Sequence, residues 1–149
     1  MTTIRPSDLM TSRNERDASA ALRLSLWAGA IFDAAAALAI FFALPLLSRI
    51  LSIPVPEDLL YVRFVGILLL GLALFYAVGA TAPGGDLRLA AAATAFRLAG
   101  GAAVGLQVPL AGAPAGFLAF AAADVGFGAW HGLALARARA GIPRGGGAA

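Results

Sequence analysis

The sequence predicts an all-α membrane protein, a four-helix transmembrane bundle with a short interfacial helix between spans one and two. Three observations carry that expectation. First, 60% of the 149 residues are hydrophobic, 13% are charged, and mean hydropathy is +0.85. A soluble domain is about 25% charged and 45–50% apolar, so this chain could not cover a globular surface with polar groups. Second, the apolar residues gather into four stretches of about 20 residues, the length a helix needs to cross a hydrocarbon core. Third, the breaks between the stretches, 45–56, 81–86 and 109–114, all carry proline, and the last two carry glycine as well.

Residues 1–21 form a polar tail of mixed charge, helical near Ser12–Ala21 and placed at a membrane surface. Arg5, Arg13, Arg16 and Arg23 precede the first apolar run as in a signal peptide. The run from Leu24 to Leu47 is too long for a signal core of about 7–15 residues. It reads as a retained first span over about 23–44. Pro45 ends or kinks that helix. In 46–53, Leu46, Leu47, Ile50 and Leu51 can share one helical face, with Ser48, Arg49 and Ser52 off it, which fits a helix lying in the interface. Pro54 and Pro56 close it. Glu57 and Asp58 read as the first turn of the next helix, where acids are favourable.

Span two covers about 59–79, with Tyr61 and Tyr76 near its ends as interfacial aromatics. Thr81 to Asp86 is a turn. Span three covers about 87–108 and span four about 115–136, joined by the uncharged reversal 109–114. The membrane domain is thus 22–137, and the glycine-rich end, 138–149, reads as a disordered tail.

Arginine sets the orientation. With four spans, Arg5, Arg13, Arg16, Arg23, Arg88, Arg137, Arg139 and Arg144 all fall on one side. The other side has Arg49 and Arg63, offset by Glu57 and Asp58. Both termini are therefore expected in the cytoplasm, with the chain multi-pass in a bacterial inner membrane.

Three charges fall inside spans. Asp33 lies about 15 Å from the arginine-rich edge, Arg97 about 13 Å and Asp124 about 18 Å, at 1.5 Å per residue. Each alone costs about 2.5–3.5 kcal/mol on insertion scales. One shared Asp33–Arg97–Asp124 cluster explains how they are tolerated. It serves either as a site for an ion, proton or substrate, or as a network fixing which helices meet. Thr94 and Gln107 are the only other polar residues near Arg97 in the chain, so the cluster reads as isolated from both surfaces. His131 shares a helix face with Asp124 and is a possible pigment or haem ligand, or a proton relay. Arg63, one turn into span two, has Glu57, Asp58 or a lipid headgroup as partner, its long side chain reaching the interface.

Gly101 with Gly105 and Gly128 with Gly132 have the spacing that lets helices approach closely, within the bundle or to a partner. Gly66 and Ala73, with Gly71 nearby, give a weaker small-residue face. The chain has no cysteine and, its eleven basic residues all being arginine, no lysine. That excludes thiolate sites, a P-loop lysine and Schiff-base chemistry. No serine–histidine–acid arrangement, metal-ligand cluster or di-iron pattern is visible, so neither an enzyme nor a cofactor is expected. Nucleic-acid binding lacks its contiguous basic footprint.

The segments Pro54-Val55-Pro56-Glu57-Asp58, Tyr61-Val62-Arg63-Phe64-Val65-Gly66 and Leu72-Ala73-Leu74-Phe75-Tyr76 resemble those of small bacterial four-helix membrane proteins of unassigned function, DoxX-like proteins among them. Arg97-Leu98-Ala99-Gly100 and Asp124-Val125-Gly126-Phe127-Gly128, with His131, add to the likeness, which covers about 22–137. The resemblance implies Arg63, Arg97, Asp124 and His131 as the characteristic polar residues, and a link to quinone-related membrane redox systems. The functional expectation is an accessory or scaffold protein, contacting the bilayer and other membrane subunits. The alternative is a small carrier or ligand-binding bundle using the buried Asp/Arg cluster, which requires a cavity reaching that cluster.

Overall fold

The computed structural model describes residues 6–82 and 85–140. It contains α1 (Pro6–Phe42), α2 (Leu44–Leu51), α3 (Leu60–Thr81), α4 (Leu87–Ala111) and α5 (Phe117–Ala140). Four of these, α1 from Arg16 onward, α3, α4 and α5, are long and apolar enough to cross a membrane. The all-α, four-span architecture with a short helix between the first two spans is the one the sequence predicts. Helix α1 has 37 residues, which makes it about 55 Å long at 1.5 Å per residue, well beyond a hydrocarbon core of about 30 Å. The polar N-terminal stretch from Pro6 is thus one continuous helix with the first span. Ala138–Ala140 likewise extend α5. The rest of the glycine-rich end, 141–149, lies outside the described residues.

Helix α1 buries Leu22, Ser25, Leu26, Gly29, Ala30, Asp33, Ala37 and Ile40. These recur at three- and four-residue steps, one stripe of the helix. The stripe faces α3 and α5. The chain forms two antiparallel hairpins, α1 with α3 and α4 with α5, and they join mainly along α1 and α5. Consecutive helices α3 and α4 touch only slightly.

The two glycine pairs are used inside this framework. A Cβ on Gly101 would stand 2.9 Å from Val125 and 3.0 Å from the Ala121 carbonyl of α5. One on Gly128 would stand 2.8 Å from Leu98 of α4, and one on Gly132 would stand 3.3 Å from Thr94. Gly105 faces Ala121. The motifs of α4 and α5 therefore lie against each other, as close helix approach requires. Gly66 does the same for α3, against Ile40 and Phe41, whereas Gly71 has open space around it.

Helix ends follow local polar chemistry. Asp86 caps α4, its carboxylate accepting from the backbone N–H of Arg88 at 2.9 Å and Leu89 at 3.1 Å. Asp58 accepts from the N–H of Leu60 at 2.8 Å. It and Glu57 thus precede α3 rather than form its first turn, because a short acidic side chain satisfies a free N–H best from outside the helix. At the break after α1, Pro45 stands in the first turn of α2, where its missing N–H leaves no bond unmade.

Helix α2 has the single apolar face expected: Leu44, Leu46, Leu47, Ile50 and Leu51 fall on one arc, with Pro45, Ser48 and Arg49 off it. Leu46 and Ile50 are exposed. Leu44, Leu47, Ser48 and Leu51 turn toward the bundle. The helix lies between the bundle and its surroundings, so one edge of this wide apolar face packs inward and the other is exposed. Ser48 can sit on the inner side because its hydroxyl donates to the Ile53 carbonyl. A Cβ on Gly116 would collide with the Leu51 carbonyl, so the start of α5 closes directly onto the end of α2.

Packing is uneven along the bundle. Leu22, Leu26, Ala30, Tyr76, Ala80, Ala90, Ala93, Ala134 and Leu135 form a buried core in the half nearer Arg23, Arg88 and Arg137. There Arg23 Nε donates to the Ala80 carbonyl at 3.0 Å, tying α1 to the end of α3. Toward α2 the helices part.

Candidate functional site: a buried ionic cluster at the floor of an apolar cavity

Asp33 from α1, Arg97 from α4 and Asp124 from α5 meet in the interior. Arg97 Nη2 lies 2.7 Å from Asp33 Oδ1, and Arg97 Nη1 lies 2.6 Å from Asp124 Oδ1. The guanidinium thus spans two carboxylates with different nitrogens, a geometry that its planar fork provides and a lysine ammonium does not. Asp33 is fully buried, Arg97 is 3% exposed and the Asp124 side chain is 23% exposed. The three residues that the sequence places at similar depth are therefore one bonded unit.

Aromatic rings enclose the cation. The guanidinium carbon of Arg97 lies 5.2 Å from the ring centroids of Tyr76 and Phe127 and 5.7 Å from that of Phe32. Such faces attract a cation through their quadrupole, by about 2 kcal/mol when desolvated. Sequence reasoning missed this cage. Phe32 and Phe127 look like any apolar residue of a span. Tyr76 was expected at an interface but is fully buried. The signal that could have found it is spacing: Tyr76 lies on the buried stripe of α3 with Gly66, Ala73 and Ala80.

His131 is also fully buried, its ring 5.6 Å from that of Tyr76 and 6.0 Å from that of Phe127. A Cβ on Gly29 would stand 3.1 Å from its Nε2, so the backbone of α1 closes one side of the imidazole. A pigment or haem could reach this ring only by parting α1 from α5. Neither ring nitrogen, nor Tyr76 Oη, Asp33 Oδ2 or Arg97 Nε, has a hydrogen-bond partner among the described residues. No group of three or more potential metal-ligating residues occurs among the described residues. Thr94 donates its hydroxyl to the Ala90 carbonyl, and Gln107 is exposed, so neither extends the cluster.

Arg63 stands apart from the cluster. It is exposed in the first turn of α3 and pairs with neither Glu57 nor Asp58 among the described residues.

The cluster is not isolated from the surface. A cavity of about 550 Å³ lies between α2, the 53–56 loop, α3, α4 and the start of α5, and it reaches Asp124. Its walls are apolar, including Leu47, Leu51, Val62, Val65, Leu69, Val104, Phe117 and Phe120. Among the described residues, Asp124 is the only charged one in the lining, and Ser48, the other polar one, is bonded to Ile53. Asp124 lies seven residues past Phe117, about 10 Å along α5. The expected isolation assumed that a path needs polar walls; the path here is apolar and comes from one end.

No family model matches the chain, and neither a curated protein nor a solved structure is similar to it. The DoxX-like resemblance therefore gains no support beyond the general likeness of a small, all-α, multi-span membrane protein.

Proposed function

We propose that this protein is a small ligand-binding membrane bundle whose site is the apolar cavity with the Asp33–Arg97–Asp124 cluster at its floor. One observation carries the reading: the cavity ends on a carboxylate already engaged with a buried arginine. Ligand sites are commonly concave, apolar and about 300–1,000 Å³, with a few convergent polar groups that fix orientation. The cavity has that size and that polarity. The reading assigns binding, not a reaction.

The alternative is an accessory or scaffold protein of a larger assembly, and it drew on the close-packing glycines. Gly101, Gly105, Gly128 and Gly132 are occupied between α4 and α5 of the same chain, so they no longer point to a partner. Carrier action would require a second state in which the packed half around Leu22, Tyr76 and Leu135 opens.

The test is purification of the full chain from a bacterial membrane in mild detergent, followed by native mass spectrometry. An apolar small molecule is expected to accompany the protein at about one per chain, as a single concave site of this size implies. Leu47→Trp, which fills the cavity from α2 without touching the charges, is expected to lose it. Equal retention by both proteins would remove the cavity as the site.

A further inference from the structure

We infer that the cavity selects an apolar cation, a hydrocarbon body bearing one positive charge, over neutral or anionic molecules of the same size. The inference rests on the ligand-binding reading and adds the chemistry of the head group.

Charge complementarity is the basis. The cluster holds two carboxylates and one guanidinium, a formal excess of one negative charge. Asp33 is sealed, and its pairing with Arg97 lies behind the cavity floor. Asp124 is the member that faces the cavity. Its Oδ1 is held by Arg97, and Oδ2 lies on the side of Gly100, where a Cβ would stand 3.2 Å away. Glycine at 100 therefore leaves that oxygen uncrowded. A charge in apolar surroundings attracts its complement strongly, since little solvent screens it. Among the described residues, no cationic side chain lines the cavity to supply that complement. Arg49 and Arg63, on the two neighbouring helices, are exposed and are not among the residues that line it. An anion would meet Asp124 with no donor to offset it. A neutral hydrocarbon would fill the walls but leave the carboxylate oxygen unpaired.

Tetraphenylphosphonium and tetraphenylborate have nearly the same shape and opposite charge, so the pair isolates the charge term. Equilibrium dialysis of the full chain in neutral detergent, against empty micelles as control, measures both. Tetraphenylphosphonium is expected to bind at one site per chain, and tetraphenylborate more weakly by about tenfold or more, since like charges brought together repel. Asp124→Asn keeps an acceptor for Arg97 and is expected to abolish the preference. Leu47→Trp is expected to abolish binding of both with every charge in place, and retained, equal binding of the two ions by Asp124→Asn shows that this variant is folded. Equal binding of the two ions would overturn the cation inference and leave the binding reading standing. Binding of neither would overturn both.

Discussion

Arg97 is the residue on which the interior depends, because without it two carboxylates lose their only counter-charge among the described residues. Arg97→Leu is expected to destabilise the protein by about 3–5 kcal/mol, the usual cost of breaking a buried pair from one side. Asp33→Leu in the same chain should recover part of that loss, because replacing both partners removes the uncompensated charge. Thermal unfolding in detergent measures both, and a double variant no better than the single one would show that Asp33 and Arg97 act separately. Tyr76 makes a finer case. Its hydroxyl has no hydrogen-bond partner among the described residues, while its ring faces the guanidinium. Tyr76→Phe is therefore expected to change stability by less than about 1 kcal/mol, whereas Tyr76→Leu loses about 0.5–2 kcal/mol of cation–π attraction in addition to packing. If the phenylalanine variant fell as far as the leucine one, the hydroxyl would be bonded in a way the geometry does not show. The three ions were legible in the sequence because a charge in a span is costly wherever it stands, so its presence demands partners. Phe32, Phe127 and Tyr76 were not legible, since an aromatic in an apolar helix costs nothing whether it faces lipid or a cation.

At the scale of the helices, small residues decide where backbones approach. Gly101 and Gly71 separate this role from mere composition. An added methyl at 101 meets a carbonyl at 3.0 Å and Val125 at 2.9 Å, while at 71 it meets nothing within 4 Å. Gly101→Ala should therefore cost about 1–3 kcal/mol through overpacking. Gly71→Ala should be neutral or slightly stabilising, by up to about 1 kcal/mol, from helix propensity. Comparison of their unfolding midpoints checks this, and equal effects would mean that α4 and α5 are not in the close contact described. Hydropathy and breakers located the four spans well because lipid solvation imposes one composition along each helix. Two features escaped that logic. The continuous helix from Pro6 did, since a polar stretch can prolong a helix once the apolar part has nucleated it. The inward turn of Leu47 and Leu51 did too, because a wide apolar face can meet lipid or protein, and its pattern does not say which edge packs on the bundle.

The whole molecule is polar in a directional sense, and this joins the charge distribution to the cavity. The ends of α1, α3, α4 and α5 near Arg23, Arg88, Arg137 and Arg139 are packed shut, while the ends near α2 part around the cavity. Arginine excess belongs on the cytoplasmic face. The cavity is therefore expected to open toward the extracytoplasmic side, where Arg49 and Arg63 are balanced by Glu57 and Asp58. The sequence permits a direct test, for the chain has no cysteine. Single cysteines at Val55 and Ala115 report the cavity end, and at Thr81 and Ala140 the arginine end. In intact spheroplasts, a membrane-impermeant maleimide is expected to label the first two and to reach the last two only after permeabilisation. The reverse pattern would mean that arginine does not set this topology and that the cavity faces the cytoplasm. Labelling of Val55 and Ala115 from opposite sides would contradict the four spans themselves, since both lie at one end of the bundle. The expected result has a consequence for the site: a ligand arriving from outside would reach Asp124 past α2, without crossing the packed half that holds Tyr76 and His131.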